Sequence, residues 1–257
     1  MITFNFYSGR EDRQIRLKLS DRVVSYVADQ GFRILEKIGE GATSIACRCR
    51  ITNGTDVVLL FPTNVNIKKK HIDSHDELAY ARKIQKERPE SLKYMVKLIS
   101  TIVCPFPYSD DRRYTTDYVW SASYYRSNRI EVLELADITL AQRMHDIMNT
   151  TFDEKIAFVT DFNDQLLKII QYFEQIGAYY YDLSKENIAF IKKRLVLIDL
   201  ESLVKSPIPE CYGSAKKIVN NVMKYNMLVP YGMGCIASSK EEAERLKEVF
   251  VNSIQRI

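Results

Sequence analysis

The sequence predicts an α+β chain in which an antiparallel sheet comes first and helices follow. Three observations carry that expectation: successive β-rich runs at 32–38, 45–51 and 57–61 joined by turn signals, a long helical periodicity over 152–176, and a second helical pattern over 239–251.

The first run ends at Gly39-Glu40-Gly41, and the second is closed by Thr52-Asn53-Gly54-Thr55, whose Asn-Gly pair between β-rich runs is a strong hairpin signal. Residues 57–61 are therefore a third strand, paired back on the second. Ser74-His75-Asp76-Glu77 has the form of a capping box ahead of Leu78, Ala81 and Ile84, and Pro89 stops the helix begun there, which is expected to lie on the sheet. Residues 95–103 and 129–135 read as two further strands of that sheet. The insertion 104–128 between them carries Pro105, Pro107 and five tyrosines, and is longer than connections in compact domains usually are. Along 152–176 the apolar residues from Ile156 to Phe173 fall at helical spacing, and Gly177 sits where a C-cap glycine belongs. Two short β-rich runs, 188–191 and 195–198, precede the final helix.

A chain of 257 residues with 46% hydrophobic and 27% charged side chains is one domain or two tightly joined halves. No stretch is long and apolar enough for a membrane span, and the opening residues lack the basic start and apolar run of a signal peptide, so a cytoplasmic location is expected. The five cysteines, Cys47, Cys49, Cys104, Cys211 and Cys235, are odd in number and scattered, which suits reduced thiols. A formal charge of +4 is too weak to imply a polyanion, and the lysines at 68–70 read as a solvated turn, so no nucleic-acid partner is expected. His71 and His75 have helical spacing without further ligands, which does not make a zinc site.

The stretch Tyr180-Tyr181-Asp182-Leu183-Ser184-Lys185-Glu186-Asn187, followed twelve residues after the Asn by Asp199-Leu200-Glu201, resembles the catalytic loop and D-F-G segment of the protein kinases. Gly39-Glu40-Gly41-Ala42-Thr43-Ser44 resembles their glycine-rich loop, with Ser44 in place of the third glycine. Glu131-Val132-Leu133-Glu134-Leu135-Ala136-Asp137 looks like the strand and hinge that join the kinase lobes. The resemblance spans roughly 32–201 and implies one protein-kinase-like two-lobed domain. Residues 1–31 are then an N-terminal extension, 32–137 an antiparallel-sheet lobe with hinge and insertion, and 138–257 a shortened helical lobe. The implied cofactors are ATP and Mg²⁺. Asp182 would accept the proton of a substrate hydroxyl, while Asn187 and Asp199 would hold the metal through oxygen. Gly39, Gly41, Ser44 and Ala46 would contact nucleotide, with Leu133 as gatekeeper and Glu134 to Ala136 along the base. The lesser alternative, read from the residues alone, has Asp182 and Asn187 capping turns and Asp199 ending a strand.

The departures from the family matter as much. The third strand should end in V-A-I-K, whose lysine contacts phosphates; here Val58-Leu59-Leu60-Phe61 places a hydrophobe at the lysine position. Arg48 or Lys68 would have to substitute as phosphate anchor, and Glu77 suits equally the matching helix carboxylate and a place in its capping box. Tyr180 and Tyr181 replace the His and Arg of H-R-D, Glu201 replaces the D-F-G glycine, and no A-P-E sequence follows. Two functions stay open: a phosphotransferase, Ser/Thr-directed or atypical, or a pseudokinase that binds a protein partner as scaffold or regulator with little or no catalysis.

Overall fold

The computed structural model describes residues 3–7, 14–18, 21–40, 44–62, 78–105, 129–180, 182–205 and 236–254. They form an α+β chain that divides into two compact units, Met1–Asp76 with Lys97–Leu135, and Glu77–Val96 with Ala136–Ile257. Among the described residues no helix is long and apolar enough to cross a membrane.

The first unit begins with a hairpin of β1 (Thr3–Tyr7) and β2 (Gln14–Lys18), then α1 (Asp21–Asp29). A five-stranded sheet follows: β3 (Phe32–Glu40), β4 (Ser44–Ile51), β5 (Asp56–Pro62), β6 (Leu98–Val103) and β7 (Arg129–Glu134). Every pairing is antiparallel, in the order β3-β4-β5-β7-β6, so the last strand in sequence sits inside the sheet. The five expected strands are all present, with no end displaced by more than three residues. The Asn-Gly turn forms as anticipated. Gly54 takes φ +88°, its N–H donates to Ile51 O at 2.8 Å, and the Asn53 side chain accepts from Thr55 N at 2.9 Å.

Alternation along β4 turns Ile45, Cys47 and Cys49 toward the core, where they meet Leu59 and Phe61 of β5, Ile130 and Val132 of β7, and Val23 and Val27 of α1. The 1–31 segment, anticipated only as an extension, thus supplies a helix that covers this face. Tyr26 pins α1 by donating to Val103 O at 2.9 Å. Gly31, at φ +85°, makes the turn from α1 into β3, and a Cβ there would lie 2.8 Å from Thr52 Oγ1. Cys47 and Cys49 are free thiols buried in this core, and Cys104 is buried there as well. Burial pushes the thiols of Cys47 and Cys49 up to about 12. Only the thiolate is nucleophilic, so these two resist iodoacetamide in the native protein at pH 8 and react once it is denatured. Peptide mass spectrometry reads this directly, and native alkylation at either residue would contradict the packing.

In the second unit, α2 (Ala79–Glu87) and a 3-10 turn (Pro89–Lys93) lead to the backbone bonds Leu197 N to Tyr94 O at 2.9 Å and Val96 N to Leu197 O at 3.0 Å. The helix expected on the sheet therefore belongs with this unit: Tyr80 donates to Gly177 O at 3.4 Å and Gln85 to Val96 O at 2.8 Å. The expected capping box lies outside the described residues. Next come β8 (Ile138–Thr139), α3 (Leu140–Ile147), α4 (Phe152–Gln175), β9 (Tyr179–Tyr180), β10 (Ile188–Ile191), β11 (Arg194–Leu197), β12 (Leu203–Val204) and α5 (Lys240–Ile254). Both α3 and α4 start on capping boxes, Thr139 with Gln142 and Thr151 with Glu154. Gly177 ends α4 at φ +69°, with its N–H on Glu174 O and that of Ala178 on Phe173 O, the two bonds of a Schellman cap.

Helix α4 buries Val159, Phe162, Leu166, Ile169, Ile170 and Phe173, as its periodicity predicts. It also buries a charge. Lys155 is 1% exposed, and its Nζ donates to Ser238 Oγ at 3.0 Å and to Glu242 at 3.3 Å, joining the start of α4 to α5. Asn163 adds a second polar link, Nδ2 to Phe250 O at 3.4 Å.

Candidate active site

The chain enters the stretch that carries Asp182 from β9 and leaves Asp199 through a 3-10 turn (Leu200–Ser202) into β12, and these two strands pair, Tyr180 with Leu203 and Tyr179 with Val204. Between them the β10-β11 hairpin pairs Ile188 with Leu197 and Ile191 with Arg194, turning at Lys192 with φ +61°. The two ladders close one loop over itself and fix its ends.

Inside the loop, Ser184 N donates to Asp182 O at 2.9 Å and Asn187 N to Ser184 O at 3.1 Å. The Asn187 amide then reaches back, Nδ2 donating to Asp182 O at 3.1 Å and to Asp182 Oδ2 at 2.9 Å. Ile198 N donates to Asn187 O at 3.0 Å, which sets Asp199 beside the pair. The three residues that the sequence singles out are thus brought together by the loop's backbone bonds and by the Asn187 side-chain amide. Burial pushes the Asp199 carboxyl above its ordinary range and the charge of Asp182 adds to the rise, while the Ser202 hydroxyl and the Glu201 N–H, both donating to Asp199, oppose it. Asp182 itself is exposed.

This donor set fits Mg²⁺, a hard cation that takes few protein ligands and keeps the rest for water and phosphate oxygens. Asn187 spends its Nδ2 on Asp182, so its Oδ1 is the atom that would ligate. Among the described residues no group of three or more His, Cys, Asp or Glu assembles, so a cation here would rest on Asp199, Asn187 and oxygens brought by its ligand.

In the first unit the sheet gathers a second set. Gly39 pairs with Ala46, Ala46 with Leu60, Arg48 with Val58 and Val58 with Leu133, so Gly39, Ser44, Ala46, Arg48 and Leu133 share one face. Phe61 pairs with Ile45 and lies on the opposite face, 1% exposed in the core. The side chain that shares Ala46's face at the end of β5 is Leu60, a correction of one residue to the expected register; that position also lacks a cation. Arg48 is engaged already: Nε meets Asp56 Oδ2 at 2.9 Å and Nη1 meets Glu36 Oε1 at 3.2 Å. The hydrogen bonds of Arg50 and Arg48 hold Asp56 down to about 2, so Arg48 would have to leave a fully ionised partner to meet a phosphate. Glu134 bonds Lys97 through both backbone and carboxylate, N to Lys97 O at 2.9 Å and Oε2 from Lys97 N at 3.2 Å. Ala136 opens the second unit's return segment. Gly41, Lys68, Glu77, His71, His75 and Tyr181 lie outside the described residues, as does 106–128 of the insertion.

Two features escaped sequence reading. Ser202, 2% exposed and bonded to Asp199, follows the motif by one residue and has no signature of its own. Lys155 occupies a buried position of the α4 stripe, where a lysine reads as surface. No protein-family model matches the chain, and no curated protein matches it either.

Proposed function

We propose that this chain is an ATP- and Mg²⁺-dependent phosphotransferase of the protein-kinase-like, two-lobed type, acting on a hydroxyl group. The observation that carries the reading is the Asp182–Asn187–Asp199 cluster, held by the β9-β12 and β10-β11 ladders. Asp182, exposed and oriented by the Asn187 amide, takes the proton of the acceptor hydroxyl as its oxygen bonds the γ-phosphorus and ADP departs. Asp199 and Asn187 hold the cation, which neutralises charge on the transferring phosphates when bound. Gly39, Gly41, Ser44, Ala46 and Leu133, with the backbone of Glu134 to Ala136, serve the nucleotide.

One observation favours a second reading, a pseudokinase that binds a protein partner. The face that carries Ala46 offers Leu60 where a phosphate-binding lysine is needed, and Arg48 is tied to Asp56 and Glu36. Thermal unfolding with ATP separates the two. A ligand at a hundredfold its Kd stabilises the fold by about 2.7 kcal/mol, a shift of several degrees, and under the first reading this requires Mg²⁺. No shift with or without Mg²⁺ sinks the phosphotransferase.

A further inference from the structure

Ser202 has a place in this site that the motif does not give it. Its backbone is fixed on both sides: its N–H donates to Asp199 O at 3.3 Å, and the next residue, Leu203, is paired to Tyr180, two positions before Asp182. The side chain is 2% exposed, and a buried hydroxyl needs a partner; here that partner is Asp199 Oδ2. We propose that Ser202 is a positioning residue, holding the Asp199 carboxylate in one orientation for a divalent cation; this rests on the phosphotransferase reading. The Ser202 hydroxyl and the Glu201 N–H come from the same short turn, so the carboxylate is gripped by the segment that also begins β12. Groups that orient a metal ligand are typically worth about 10–100-fold in metal affinity.

The test is Mn²⁺ binding to the ADP-saturated protein, followed by water-proton relaxation, with melting temperature measured on the same samples. Ser202→Ala weakens Mn²⁺ by about tenfold or more. Ser202→Cys keeps the shape but offers only a weak donor, so it weakens Mn²⁺ as well, while Ser202→Thr restores it. Ser202→Cys also covers the case in which Ser202→Ala does not fold. A merely structural serine would change melting and leave Mn²⁺ affinity at the wild-type value. Wild-type affinity in both Ser202→Ala and Ser202→Cys, with binding lost in Asp199→Asn, overturns the role of Ser202 and leaves the phosphotransferase standing. A wild-type protein that binds no Mn²⁺, or an Asp199→Asn variant that binds it normally, removes the metal site and this proposal with it.

Discussion

If the chain is the phosphotransferase proposed, Asp182→Asn lowers the transfer rate about 10²- to 10⁴-fold, the usual size of a general-base contribution, and leaves nucleotide affinity near wild type. The Asn187 Nδ2 bond to the side chain at 182 survives the change, because asparagine keeps one acceptor oxygen, so the loop holds while its proton acceptor is gone. Asp199→Asn behaves differently: Mg²⁺-dependent stabilisation by ATP disappears and turnover with it. The apo protein, however, becomes more stable at neutral pH. Burial raises the Asp199 carboxyl in the fold, so the folded state binds its proton more tightly than the unfolded chain. The associated stability is fully present below the ordinary carboxyl value and is lost as pH rises through the raised one; asparagine never ionises and never incurs that loss. The melting advantage of Asp199→Asn over wild type therefore grows from pH 3 to pH 7. Wild-type transfer rates in both variants would make Asp182 and Asp199 structural acceptors and end the enzyme reading.

Truncating Lys155 to alanine costs about 2–4 kcal/mol, since it removes a packed aliphatic stem and leaves a cavity at the start of α4. In melting temperature that is on the order of 10 °C for a chain of this size. Lys155→Met retains the stem volume and recovers most of the loss. Glu242→Gln melts below Lys155→Met, because it leaves the ammonium buried with its counter-charge gone. Thermal melts of the three variants decide the matter: equal melting of Lys155→Ala and Lys155→Met would deny the packing role, and an unchanged Glu242→Gln would deny the ion pair.

What could be read in the sequence was what local chemistry determines. Asn53-Gly54 announced its hairpin because the backbone there must enter φ > 0, and Gly177 announced the end of α4 for the same reason. The Asp182–Asn187–Asp199 spacing was legible only through its resemblance to the kinase motifs; the Asn187 side-chain amide bond to Asp182 that the structure adds has no sequence signal of its own. The strands β8, β9 and β12 are two residues each, too short for any period to register, and they exist only through their partners. The face on which Phe61 lies depends on its pairing with Ile45, a non-local fact, and a hydrophobic run such as Val57 to Phe61 does not reveal it. The grouping of α2 with the second unit is of the same kind: a helical pattern says which face is apolar and not what it meets. Lys155 and Ser202 owe their burial to residues far along the chain or to a turn without a signature.

The place of β7 inside its sheet has a consequence for how the chain is made. β3, β4 and β5 can pair as soon as they are synthesised, but the strand that must cover the free edge of β5 ends only at Glu134. At about 5–20 residues per second, the interval after Pro62 is roughly 4–14 s. Throughout it, the N–H and C=O groups of β5 stand open beside Val57, Leu59 and Phe61, which later form the core. The nascent chain therefore carries an open strand edge, a template for mispairing, until its last sheet strand arrives.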